Sequence, residues 1–103
     1  MSATLPVTVV IPAWNRAREL PAALASVARQ TAQPAEVVVV DDGSTDRTAE
    51  VAAAHGARVV RHEENRGVSA ARNSGIAAAS HDWIAFVDSD DEWLPRHLQT
   101  TPE

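Results

Sequence analysis

Apolar runs punctuate this chain, and polar, turn-forming residues follow them. Residues 7–11 (Val-Thr-Val-Val-Ile) end at Pro12, and residues 37–40 are consecutive valines that end at Asp41-Asp42-Gly43-Ser44. Residues 57–62 form a weaker run, and residues 83–87 end at Asp88-Ser89-Asp90-Asp91. Continuous β-branched runs, unlike alternating ones, mark strands buried on both faces, the kind that parallel sheets contain. Between them the period changes. Over residues 18–30, Leu20, Ala23, Leu24, Val27 and Ala28 follow helical spacing. Pro21 falls in the first turn, where a missing N–H costs little, and Pro34 breaks the chain before the valine run. Ser44, Thr45 and Asp46 offer capping side chains for a helix over 47–54, with Gly56 as its C′ residue. Gly67 opens a helix over 68–79, and Pro95 stands where a last helix would begin.

The resulting pattern is βαβαβαβ. Strands alternating with helices imply a mostly parallel sheet with right-handed crossovers. The expected fold class is α/β: a Rossmann-like sheet of about four strands in the order 3-2-1-4, flanked by helices. Its switch point lies between strands 1 and 4. A crevice opens there at the carboxyl ends of the strands, where such sheets bind ligands.

Both acidic clusters end strands, so both fall on that rim. Carboxylates there repel one another unless a cation or a hydrogen-bond donor sits among them. At the end of strand 2, Asp42 is placed to accept from a ribose hydroxyl or a base N–H. The plainer alternative is that Asp41 and Asp42 only form an Asx-type turn with Gly43. Asp46 reads as a cap. At the end of strand 4, Asp88 and Asp90 are i and i+2 on an extended segment and share a side. Two hard oxygen ligands facing one way suit Mg²⁺ or Mn²⁺ with substrate phosphates, whereas the plainer reading is a solvated acidic loop. Arg66 and Arg72 flank the start of the third helix, whose N-terminus favours phosphate. Trp14 and Trp93 flank the crevice, and packing is the expectation for both. His55, His62, His81 and His97 lack spaced partners and read as surface residues.

Composition narrows the chemistry. The chain has 103 residues, 45% of them hydrophobic, enough for one small domain with a core. Its formal charge is −5, and every basic residue is Arg, so a basic stripe for nucleic acid is not evident. Without Cys there are no disulfides or thiolate metal ligands. No apolar stretch reaches the ~20 residues of a membrane span. Residues 1–4 show no signal peptide, so the expected location is the cytoplasm, peripheral to the inner membrane face in a longer protein. Neither G-x-G-x-x-G nor a P-loop occurs, which disfavours dinucleotide oxidoreduction and P-loop chemistry. Receiver-type phosphoryl transfer lacks its lysine.

Four segments in order carry a resemblance: residues 7–15 (VTVVIPAWN), 39–46 (VVDDGSTD), 65–76 (NRGVSAARNSGI) and 86–91 (FVDSDD). Together they resemble family 2 glycosyltransferases of the GT-A fold, over about residues 7–98. The resemblance implies a half-domain that binds a nucleotide-sugar, most often a UDP-sugar. It implies that Pro12, Ala13 and Asn15 line the nucleobase end, that Asp42 accepts from the base and that Asp41 supports the turn. Arg72 approaches the donor. Asp88 and Asp90 form the D-x-D that holds Mn²⁺ or Mg²⁺ against the diphosphate, Asp90 as the more direct ligand. The implied reaction inverts the anomeric centre, an acceptor hydroxyl on a glycan or lipid-linked saccharide displacing the nucleoside diphosphate. No residue here matches the family's catalytic base, so no catalytic residue is assigned. The expectation is a single partial domain over residues 1–103, the donor-binding half without its acceptor half. A strand 4 left at the sheet edge is expected to pair with a second copy as a homodimer. The alternative is a non-catalytic nucleotide-binding or assembly module.

Overall fold

Among the described residues seven elements alternate as the hydrophobic pattern requires: β1 (Ala3–Ala13), α1 (Leu20–Ala28), β2 (Ala32–Asp42), α2 (Thr48–Ala54), β3 (Arg58–His62), α3 (Val68–Ala78) and β4 (Trp83–Phe86). This computed structural model describes residues 3–30, 32–81 and 83–87. The strands pair in parallel in the order β3-β2-β1-β4, so the switch point falls between β1 and β4 as the sequence implies.

Both central strands are longer than their apolar runs. Neither Pro12 nor Pro34 ends a strand: Pro12 pairs with Val40, and Pro34 with Leu5. Two features accommodate the prolines. The β1–β2 register shifts between Leu5 and Thr8, and Pro6 sits in that bulge, where a strand tolerates a missing donor. Pro12 shares the parity of Val10, whose carbonyl accepts the Val87 N–H on the β4 side. Among the described residues the β4 pairing reaches Phe86, opposite Val10, and the absent N–H of Pro12 interrupts none of those ladder bonds.

Two apolar layers cover the sheet. Val9, Ile11, Leu20, Leu24, Val27, Val39, Ala52 and Val87 pack on the α1/α2 face. On the other face Val10, Val38, Val40 and Ala71 pack, with Val60, Ala78 and Ile84 beside them. Each fully buried Val or Leu contributes about 1.5–3 kcal/mol, which explains why alternation is absent from β1 and β2. The α3 face is thin. Ala71, Gly75 and Ala78 form a small-residue stripe, and a Cβ on Gly75 would stand 2.2 Å from Val10 Cγ1.

Gly75→Ala therefore sets two effects against each other. Alanine gains about 1 kcal/mol of helix propensity, but overpacking a filled core costs about 1–3 kcal/mol. Val10 is fully buried and cannot swing away, so net destabilisation is expected in urea unfolding. Adding Val10→Ala should recover part of it. A Gly75→Ala chain more stable than the parent would refute this packing account.

Beneath the opposite rim, Glu36 gathers four segments. Its oxygens accept from Thr8 Oγ1 at 2.9 Å, the Ser80 N–H at 2.9 Å and Arg58 Nη1 at 3.4 Å. The Ser80 N–H is the main reason its carboxyl is held below the usual range, and Thr8 and Arg58 add to it against the opposing effect of burial. A lone acid preceding a valine run gives no hint of this from sequence.

Candidate functional site

The rim at the carboxyl ends of the strands begins with the loop after β1. Asn15 takes a left-handed backbone (φ 52°), which asparagine tolerates better than most residues. That turn lets Asn15 donate its N–H to Ser44 Oγ at 2.9 Å while its Oδ1 accepts the Thr45 N–H at 2.8 Å. Arg16 N–H donates to Thr48 Oγ1 at 2.9 Å, and Ala17 N–H to Asp46 Oδ2 at 3.2 Å. Asp46 also accepts from the Thr48 N–H at 3.0 Å and from the Thr48 hydroxyl. Asp46, read as a cap, stands one residue before the N-cap Arg47, which has no side-chain cap bond, and serves as a brace between loops. Burial pushes its carboxyl up, but the bonds from Thr48 and Ala17 outweigh that and hold it below the usual range.

The adjacent carboxylates at the end of β2 point to opposite faces of the sheet, as strand geometry dictates. Each meets a basic residue directly across in register: Asp41 faces Arg61, and Asp42 faces His62. Asp41 Oδ1 accepts the Ser44 N–H at 3.0 Å, and its Oδ2 lies 3.6 Å from Arg61 Nε, an ion-pair rather than hydrogen-bond distance. Asp42 is only 3% exposed. Its Oδ1 accepts from His62 Nδ1 at 2.8 Å and from the Arg66 N–H at 2.9 Å, and its Oδ2 accepts the Gly67 N–H at 2.9 Å. Burial raises this carboxyl's pKa, but the bonds from His62, Arg66 and Gly67 outweigh it, so the net shift is downward. The charge repulsion that the sequence poses at this strand end is met by β3 and by the start of α3.

His62 corrects the reading of the histidines as surface groups. It is 7% exposed, and its Nε2 lies 2.7 Å from Ser74 Oγ on α3. Two signals in the sequence anticipate it: His62 shares the parity of inward-facing Val60, and an Arg-His pair ends β3 as an Asp-Asp pair ends β2. His55 is exposed as expected, while His81 is part-buried beside Thr8, 3.2 Å from its hydroxyl.

Glycines close the rim. Gly43 (φ 75°) lies so near the loop before α3 that a Cβ on it would stand 2.4 Å from both Asn65 N and Glu64 C. Gly67 (φ 95°) supplies the positive φ at the N-cap of α3 and lets its N–H reach Asp42. Pro12 and Ala13 are buried, forming the floor at the end of β1. Trp14, expected to pack, is instead 49% exposed on the rim. Arg72 on α3 lies over Phe86 of β4, its guanidinium carbon 5.5 Å from the ring centroid, a cation–π distance. Arg72 and Phe86 thus meet on the face of the sheet that α3 covers. Arg66 contributes its backbone N–H, its side chain being exposed.

Val87, just after β4, is buried and pinned to the Val10 carbonyl at 3.1 Å. The residues that follow it, including Asp88, Asp90, Asp91, Trp93 and His97, lie outside the described residues. Among the described residues no group of three or more His, Asp or Glu side chains is arranged to hold a metal. Nor is any helix among them long and apolar enough to cross a membrane.

Residues 8–101 match the sequence model of glycosyl transferase family 2. Over 93 residues the chain is 37% identical to a glycosyltransferase of Haemophilus influenzae, covering 89% of this chain and 32% of that protein. The fold is similar to that of S. aureus TarS 1-349 in complex with UDP-GlcNAc, with a TM-score of 0.84 and 30% identity over 99% of this chain and 30% of that one. It is also similar to glucosyl-3-phosphoglycerate synthase from Mycobacterium tuberculosis, whose crystal structure holds Mn²⁺, UDP and glucosyl-3-phosphoglycerate. There the TM-score is 0.72 and the identity 32%, covering 84% of this chain and 35% of that one. The chain thus spans about a third of the length of these relatives.

Proposed function

Because this chain belongs to glycosyl transferase family 2, we propose that its rim binds the nucleoside diphosphate portion of a sugar donor, a UDP-sugar in the first instance. The observation that carries this reading is the bonding of the rim at the carboxyl ends of β1 and β2. The loops after β1 and β2 are bonded to each other, and both are tied through Asp42 to the start of α3. That arrangement fixes the rim before any ligand arrives, which lowers the ordering cost of binding. UDP-GlcNAc in one solved relative of the same fold and UDP in another support it.

In this reading Pro12, Ala13 and Asn15 form the base end, Asp42 accepts from the base, and Arg72 lies toward the donor. Asp88 and Asp90 are hard oxygen donors, the type that Mn²⁺ and Mg²⁺ favour, and the relative with Mn²⁺ is consistent with that chemistry. These two residues would hold the ion, which when bound neutralises charge on the diphosphate. The reaction class is inverting transfer: an acceptor hydroxyl loses its proton and bonds to the anomeric carbon, and the bond to the nucleoside diphosphate breaks. This chain's share of that reaction is to bind and orient the donor.

Calorimetric titration of UDP with and without Mn²⁺ tests the proposal. Binding strengthened by Mn²⁺ is expected, and Asp90→Ala should lose the Mn²⁺-dependent part while keeping the rest. Absence of UDP binding in every condition would end this reading.

A further inference from the structure

Asp42 does not stand alone at the rim. Its neighbour in register, His62, links it to Ser74 of α3 by contacts of 2.8 and 2.7 Å. We propose that His62 and Ser74 are positioning residues that hold the Asp42 carboxylate so that one acceptor site, on Oδ2, remains for the base of the donor. The proposal rests on the reading of Asp42 as the base-facing acid.

The argument is an inventory of protons and lone pairs. An ionised carboxylate only accepts, and it has about four lone-pair sites. The His62 nitrogen facing Oδ1 must therefore carry a proton, which fixes Nδ1–H. In the neutral ring Nε2 is then the acceptor, and it receives the Ser74 hydroxyl. The chain runs Ser74 O–H to Nε2, then Nδ1–H to Oδ1, each bond polarising the next toward the carboxylate. Oδ1 takes two donors, His62 and the Arg66 N–H, and Oδ2 takes one, the Gly67 N–H. Three of about four sites are filled. Because Arg66 and Gly67 each hold one oxygen, His62 decides whether Oδ1 keeps an open lone pair. Without that donor, Oδ1 would regain a lone pair, and Asp42 could present both oxygens.

That difference bears on which base is read. Uracil offers a single imino N–H between two carbonyls and needs one acceptor. Guanine offers two adjacent N–H donors on one edge, which a carboxylate meets best with both oxygens. A carboxylate held with one open site favours the first. A histidine that only filled space would leave this preference untouched.

The test titrates UDP and GDP, each with Mn²⁺, into the wild-type chain, His62→Leu, His62→Asn and Ser74→Ala. Wild type should prefer UDP by about tenfold or more, the scale of one well-placed hydrogen bond. His62→Leu should reduce the preference to about threefold or less. In His62→Asn the side-chain amide N–H stands where Nδ1–H stood, so the preference should return. Ser74→Ala should lower it part of the way. An unchanged preference in His62→Leu overturns the proposal, since a merely structural loss would weaken both nucleotides alike. Nitrogen-15 shifts of His62 in the wild-type chain give a readout that needs no nucleotide. The Nδ1–H tautomer is expected, and a ring protonated only on Nε2 overturns the proposal directly. Should His62→Leu fail to fold, Ser74→Ala decides, with an unchanged preference counting against the proposal. Failure of the wild-type chain to bind UDP, with the tautomer as expected, would instead locate the fault in the functional reading.

Discussion

Gly43→Ala should abolish the native rim and lower stability by about 4–8 kcal/mol, enough to unfold a domain of ordinary stability. Three effects add. The φ of 75° costs a non-glycine residue about 1–2 kcal/mol. The new Cβ would meet backbone, not a side-chain tip, at 2.4 Å from Asn65 N and Glu64 C, so the loop before α3 must move. Moving it pulls the Arg66 and Gly67 N–H groups from Asp42, and bonds to a charged acceptor contribute about 1.5–3 kcal/mol each. Gly56→Ala isolates the conformational share. Gly56 has a similar φ of 82° but nothing within 4 Å of its would-be Cβ, so only about 1–2 kcal/mol is expected there. Urea midpoints of the two variants check this, and equal losses would show that the close approach at Gly43 carries no energy.

Asp42→Ala is expected to cost about 3–5 kcal/mol, because it strands His62 and two backbone N–H groups around a buried gap. The loss also makes this variant a poor probe of base recognition, since weakened nucleotide binding would follow from a disturbed fold. Its pH dependence is the sharper measurement. The folded-state pKa of Asp42 is lowered, so its stabilisation is fully present above the unfolded value of about 4 and is lost as pH falls through the folded value. The gap in stability between wild type and Asp42→Ala should therefore be widest near neutrality and narrow in acid. Asp46 and Glu36 are lowered too, so both chains should also lose stability together on the acid side. A gap constant from about pH 7 to pH 3 would show that Asp42 is not the paired carboxylate described above.

The alternation of runs and helical stretches made the sheet order readable, because an unbroken valine run has few other places to go. Strand ends were less readable. Pro12 and Pro34 look like stops in one dimension, yet each lies within a strand, and a bulge at Pro6 shows how one such proline is accommodated. Those are properties of pairing, which a single sequence does not display. The strand-end acids were visible as a cluster, but their partners were not. Arg61 and His62 lie 20 residues beyond Asp41 and Asp42, and only the β2–β3 register sets them opposite. For that reason the sequence alone presents His62 as a surface residue. Asn15 stood out only through its motif, and Glu36 drew no attention, since its partners come from β1, β3 and the segment before β4.

The cross-bonding of the loops after β1 and β2 separates frame from face. Those bonds run from main-chain N–H groups to the short side chains of Asn15, Ser44, Asp46 and Thr48. The long side chains of Trp14 and Arg18 take no part in these bonds and stand exposed beside them. Substitutions at those two positions can therefore change what the mouth of the crevice touches while the scaffold keeps its shape. A lineage built on such a frame can alter its ligand one outward residue at a time, without refolding the loops that present it.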